Sequence, residues 1–200
     1  MRILPILVVI ALSGCGGDDK KVDAAVGSGD TGNIDTNTID TPAGSFDCAG
    51  YCTKIMAACT GTLAQYSTMA NCVDSCANFT MGAAADQMGN TLGCRFNHAT
   101  LAMGDPGTHC VHAGPGGGSV CGATACAGFC SIVVAECPGQ WTMQACNSAQ
   151  NGCPSFNSVP PYKAPSAGDT LECRLYHATM AASDPANHCS HTIANSSVCQ

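Results

Sequence analysis

The sequence predicts an all-α protein: two tandem small disulfide-rich helical domains behind a disordered tether. Three observations carry that expectation. Cysteine is far above ordinary usage, 17 in 200 residues, a density that marks a disulfide scaffold in an exported chain. Sixteen of the 17 fall into two blocks of eight, Cys48 to Cys121 and Cys126 to Cys199, each spanning 74 positions. Within each block, cysteines and aliphatic residues recur at the three- and four-residue steps of a helix.

The first element is the head of the chain. Arg2 precedes the apolar run ILPILVVIAL, too short to cross a bilayer as a helix, and LSGC follows. This segment resembles the signal of a bacterial lipoprotein, with Leu12, Ser13 and Gly14 matching the small-residue consensus before a lipidated cysteine, here Cys15. The resemblance implies that residues 1–14 are a signal peptide cleaved before Cys15. It also implies a diacylglyceryl thioether on that sulfur and acylation of the new amino terminus. At about 0.8 kcal/mol per buried methylene, two or three acyl chains make a durable membrane anchor. Gly16 stands where many lipoproteins retained at the inner membrane carry aspartate, so the implied location is the outer membrane of the cell envelope, on its periplasmic or its surface face.

Residues 15–46 read as the lipidated linker. Gly16 to Asp47 holds seven aspartates and two lysines with almost no large apolar side chain. Such a segment buries too little surface to offset the entropy of ordering, and as a flexible coil it would hold the folded part roughly 30 Å from the membrane. Asp30, Asp35 and Asp40 lack the spacing and the closing glutamate of a calcium loop.

Repeat 1 covers residues 47–122 and repeat 2 residues 123–200. Cys48, Cys52, Cys59, Cys72, Cys76, Cys94, Cys110 and Cys121 leave gaps of 3, 6, 12, 3, 17, 15 and 10. Cys126, Cys130, Cys137, Cys146, Cys153, Cys173, Cys189 and Cys199 leave gaps of 3, 6, 8, 6, 19, 15 and 9. With Cys15 assigned to lipid, the remaining even number fits a full set of disulfides, although eight cysteines allow 105 pairings and spacing does not choose among them.

The first helix of each repeat is read from Cys48, Cys52, Ile55, Met56 and Cys59 and the same offsets from Cys126, with Asp47 and Thr124 as caps. A second helix begins at Thr68 and at Thr142, each opening a T-M-x-x-C sequence, and Tyr66 and Trp141 stand just before it as aromatic plugs for a small core. The third starts at NTLGC and DTLEC, with Asn90 and Asp169 as expected caps and Glu172 at capping-box spacing from Asp169. Asp105-Pro106 and Asp184-Pro185 then restart a short helix, aspartate capping and proline first. The GPGGG run, Gly114 to Gly118, reads as a flexible connector.

The histidines are the chain's most specific pattern. CRFNHATLAMGDPGTHCVH, from Cys94, returns as CRLYHATMAASDPANHCSH, from Cys173, and holds all six: His98, His109 and His112, then His177, His188 and His191. His98 and His177 share the inward face of their helix with Cys94 and Cys173, and the paired histidines sit three apart, as neighbours on one helix side. Two readings follow. Buried imidazoles can donate from one nitrogen and accept at the other, tying the helix to the terminal loop. Alternatively, each set converges as a His₃ site for zinc or copper, with a link from Cys110 back to the third helix bringing the three together. Sequence alone places the structural reading first. Arg95 and Arg174 are expected to bond helix-end carbonyls or a carboxylate.

Other chemistries find little support. No GxSxG elbow, carboxylate pair or phosphate loop is present, so the sequence leans away from an enzyme and offers no catalytic residue. Four basic residues after Asp47 argue against nucleic acid as a partner. The expected function is a non-enzymatic binding or structural module, attached to the membrane through its lipid and meeting an unidentified envelope or extracellular partner. Metal binding, with one His₃ site per repeat, is the alternative.

Overall fold

In the computed structural model, residues 44–159 and 166–200 are described, and they are helical. The expected signal peptide, Cys15 and most of the linker lie outside them. Repeat 1 folds as α1 (Cys48–Ala58), α2 (Met69–Cys76), α3 (Leu92–Leu101) and α4 (Pro106–Ala113). Repeat 2 follows as α5 (Ala125–Glu136), α6 (Met143–Cys146), α7 (Leu171–Ala181) and α8 (Pro185–His188), with a 3-10 turn at Cys189–His191. Among the described residues there is no strand, only an isolated bridge between Thr80 and Thr91. No helix there is long and apolar enough to cross a membrane.

Local chemistry sets the helix starts. Asp47 accepts from the Gly50 amide at 2.7 Å, Thr68 from Asn71 and Thr142 from Ala145, each leaving one fewer orphan donor in a first turn. Thr124 holds the cap position of α5 without a side-chain bond. Asp105 and Asp184 cap α4 and α8, each followed by proline, as the sequence predicts. The expected caps of the third helix are corrected. Thr91 and Thr170 cap α3 and α7 instead, accepting from Cys94 and Cys173 at 3.0 and 3.1 Å. Asn90 and Asp169 are taken by arginine: Asn90 Oδ1 accepts from Arg95 at 2.8 Å, and Asp169 pairs with Arg174 at 3.0 Å. Glu172 forms no capping box, because its carboxylate accepts from Ser158 and from the Val159 amide.

All sixteen core cysteines are paired, and both repeats use the same connectivity. In repeat 1 the bonds are Cys48–Cys76, Cys52–Cys72, Cys59–Cys110 and Cys94–Cys121. In repeat 2 they are Cys126–Cys153, Cys130–Cys146, Cys137–Cys189 and Cys173–Cys199. Two rungs join α1 to α2 as an antiparallel hairpin, because cysteines four apart on one helix face cysteines four apart on the other. In repeat 2 the longer gap after Cys146 moves the outer rung beyond the one-turn α6, into a 3-10 turn at Cys153–Ser155. Each such bond contributes about 2 to 4 kcal/mol, which a core this small needs.

The repeats share that core. One apolar cluster runs from Tyr51, Ile55 and Leu92 through Phe129, Ile132 and Leu175 to the plugs Tyr66 and Trp141, and the described residues fall in one compact unit. α2 packs on α7, and polar bonds cross the seam from Asn71 to Ser183 at 3.0 Å, Asn78 to Glu136 at 2.6 Å and Asn90 to Ser131 at 3.0 Å. Gly128 allows α5 its closest approach, since a Cβ there would lie 1.8 Å from the Pro115 carbonyl oxygen.

A buried arginine locks the tail of each repeat. Arg95 is 0% exposed and donates to the carbonyls of Thr91, Gly114 and Pro115 as well as to Asn90. Its guanidinium lies 3.8 Å from the Phe79 ring centroid. Arg174, 1% exposed, donates to Thr170, Ile193, Ala194 and Cys199 carbonyls and covers Phe156. Both arginines thus take the carbonyl-bonding role read from the sequence. Replacing Arg95 by Met strands several buried acceptors, and denaturant unfolding of the oxidised protein is expected to show a loss of about 3 kcal/mol, with Lys recovering only part of it. A loss under about 1 kcal/mol would contradict this role.

Candidate metal centre

Each histidine set is assembled by two helices and two disulfides. α3 presents His98 one turn after Cys94, and α4 presents His109 and His112 on either side of Cys110. Cys110 is bonded to Cys59 at the end of α1, so the link to the third helix that was one route to convergence is not used, while Cys94 bonds Cys121. The convergence therefore comes from the packing of α3 on α4, with α4 fixed from its far side. Repeat 2 repeats the arrangement with His177 on α7, His188 on α8 and His191 in the following 3-10 turn.

The rings meet closely. In repeat 1 their centroids lie 5.1 Å (His98 to His109), 5.0 Å (His98 to His112) and 5.9 Å (His109 to His112) apart. In repeat 2 the distances are 5.2, 4.6 and 5.8 Å. Each trio offers three ligand nitrogens that lie within 4.8 Å of one another. His98 and His177 are 7% and 5% exposed, and their partners are half-buried.

Hydrogen bonding decides which nitrogens face inward. His98 Nε2 lies 3.2 Å from the Gln87 carbonyl oxygen, and His177 Nε2 lies 3.1 Å from that of Ser166. A carbonyl only accepts, so each Nε2 carries the proton and each Nδ1 presents a lone pair. That lone pair points into the cluster. His98 Nδ1 is 2.9 Å from His109 Nδ1, and His177 Nδ1 is 2.9 Å from His188 Nδ1 and 3.3 Å from His191 Nδ1. His112 Nδ1 is buried with no hydrogen-bond partner.

These separations suit a small cation. Three imidazole nitrogens bound tetrahedrally at about 2.0 to 2.1 Å stand about 3.3 Å from one another; the His98–His109, His177–His188 and His177–His191 contacts lie within a few tenths of an ångström of that, and the remaining pairs lie within 4.8 Å. A carbonyl holding the distal N–H is also the usual means of fixing a ligating imidazole's tautomer. Cys94 with Cys121, and Cys173 with Cys199, also lie beside the central histidines, but their sulfurs are spent in disulfides and offer no thiolate. Asp105 and Asp184 remain caps. Bonds from Thr108 hold the Asp105 carboxyl below its ordinary range, and bonds from Asn187 do the same for Asp184.

Sequence reading missed one contributor. The glycine run is not a loose connector, for it forms a 3-10 turn at Gly117–Ser119 packed against His112. The signal available was a cluster of glycines at 114 and 116–118, two to six residues beyond His112.

Fold and site together define a disulfide-rich helical protein with one trihistidine cluster in each of two repeats. Residues 33–125 match the family model described as the BfoA family C-terminal domain, so this part of the chain is similar to that family. The match takes in all eight cysteines and all three histidines of repeat 1. No curated protein and no solved structure matches the chain.

The histidines also set a pH dependence. Burial pushes the pKa of His98 below its usual 6.5, aided by His109 and opposed by the Gln87 bond. Burial likewise lowers His112, together with His98 and His109. It lowers His177 and His188 as well, though the Ser166 carbonyl opposes the first shift and Asp184 the second. With folded pKa values below the unfolded one, the unfolded chain takes up protons first as pH falls, so this stabilisation is complete above pH 6.5 and declines below it. Chelator-treated protein is expected to lose unfolding midpoint steadily between about pH 7 and 5, a window above ordinary carboxylate titration. A flat profile there would contradict the assignment.

Proposed function

We propose that the protein binds metal, holding one zinc or copper ion in each repeat through His98, His109 and His112 and through His177, His188 and His191. The observation that carries this reading is the meeting of Nδ1 atoms, His98 with His109 and His177 with His188 and His191, with the central Nε2 of each trio committed to a carbonyl. A purely structural pin would pair donors with acceptors. Here His112 Nδ1 is left buried and unpartnered, which a cation would satisfy. The sequence placed metal binding second, and the geometry favours it over the structural pin. An all-imidazole set suits zinc and copper alike.

The oxidised protein, equilibrated with zinc or with copper and freed of excess, is expected to retain two equivalents. His98→Ala or His177→Ala should retain one and the double variant none. Because His98 is buried, the half-buried His109→Gln and His188→Gln are measured beside it. Protein that stays metal-free in both solutions would defeat the reading.

The same proposal places the protein at the cell envelope, anchored by lipid on Cys15. Its supports are the LSGC segment and a disulfide content compatible with an oxidising compartment. Its partner there is an envelope or extracellular component. Labelled fatty acid is expected to enter the protein in a Gram-negative host and to be lost in Cys15→Ser, and equal labelling of the two would contradict the anchor.

A further inference from the structure

The two trios are matched in sequence, but their surroundings differ. In repeat 1 the chain leaves α4 through Gly114 and turns back over His112. Gly117, Gly118 and Ser119 are consecutive left-handed residues, with φ of 71°, 53° and 63°, a run that only glycine-rich sequence adopts without strain. The turn is tied at both ends. Gly117 N–H donates to the Gly114 carbonyl at 3.0 Å, the Gly117 carbonyl accepts from Val120 and Cys121, and Cys121 is bonded to Cys94 on α3.

This strap touches the metal trio directly at His112 and bears on it indirectly through the residue that follows the strap, Val120. A Cβ on Gly118 would lie 2.8 Å from His112 Cδ2 and 3.0 Å from the Val111 carbonyl oxygen, so the backbone rests directly on the imidazole. The Val120 carbonyl accepts from Gly89 N–H at 3.0 Å, which holds the segment carrying Gln87, the acceptor that fixes the His98 tautomer. Repeat 2 ends differently. An arginine holds the tail there too, but Thr192 to Cys199 contains no glycine and no left-handed residue.

We infer that the Gly117–Ser119 strap preassembles the repeat 1 site, so that the two sites are unequal and repeat 1 fills first, with Gly118 as a positioning residue for His112. This rests on the metal reading above. A ligand already held in its bound orientation does not lose that freedom on binding, and groups that orient ligands change metal affinity by about ten- to a hundredfold.

The test is a zinc titration of the oxidised full chain against a chromophoric chelator. Wild type should give two steps whose dissociation constants differ by about tenfold or more. Gly118→Ala should weaken the tighter step by about tenfold or more and leave the second unchanged. That unchanged second step is also the internal proof that the variant is folded. His112→Ala identifies the tighter step by abolishing it, and Gly139→Ala, where an added Cβ meets nothing within 4 Å, should alter neither. Two indistinguishable steps in wild type, a tighter step untouched by Gly118→Ala, or equal weakening of both steps would overturn the inference and leave the metal reading standing. A wild type that takes up no zinc, with none of copper in the same assay, would overturn the metal reading and this inference with it.

Discussion

The bond between Cys59 and Cys110, and its counterpart between Cys137 and Cys189, ties the end of each repeat's first helix to the segment that carries two of its three histidines. These bonds close the longest loops of their repeats, 51 and 52 residues in sequence separation, and longer loops lose more entropy in the unfolded chain when cross-linked. Cys110 lies between His109 and His112, so the cross-link fixes the helix at the place where imidazole geometry matters. With α4 held against α1, its histidine side packs on α3, and the ring of His98 closes the trio. A small core could not impose such positions on its own.

Polar groups complete what the disulfides begin. Arg95 gathers three carbonyls from the end of α4 and the start of α3, and Arg174 does the same for its repeat with four. Each is flanked by an aromatic ring, so the charge is buried without an unpaired donor face. The outcome ties the tail of each repeat to the start of its third helix. The central imidazole is then oriented by one backbone carbonyl, and its lone pair has no direction available except inward.

Much of the architecture was legible in the sequence because helices announce themselves by period and caps. Cysteines four apart, the Asp-Pro starts of α4 and α8 and the T-M-x-x-C openings all act locally, and all appear where expected. The third-helix caps were misread because Asn90 and Asp169 are as good at capping as Thr91 and Thr170, and only the arginine guanidinium five residues on, folded back over the helix start, decides which residue is free to cap. Disulfide pairing was not legible, since spacing along the chain does not say which helices cross. The histidine trio was legible as a repeated set, but its inward Nδ1 atoms depend on Gln87 and Ser166, which the repeated motif does not include. The glycine strap was misread because its role lies in contact with an imidazole rather than in chain flexibility.

X-ray absorption at the metal edge of the loaded, oxidised protein reports the donor atoms directly. The loaded protein is expected to show a first shell of nitrogen or oxygen at about 2.0 Å with the outer scattering of about three imidazoles per ion and no sulfur. Sulfur at about 2.3 Å, or a shell without imidazole scattering, would contradict it.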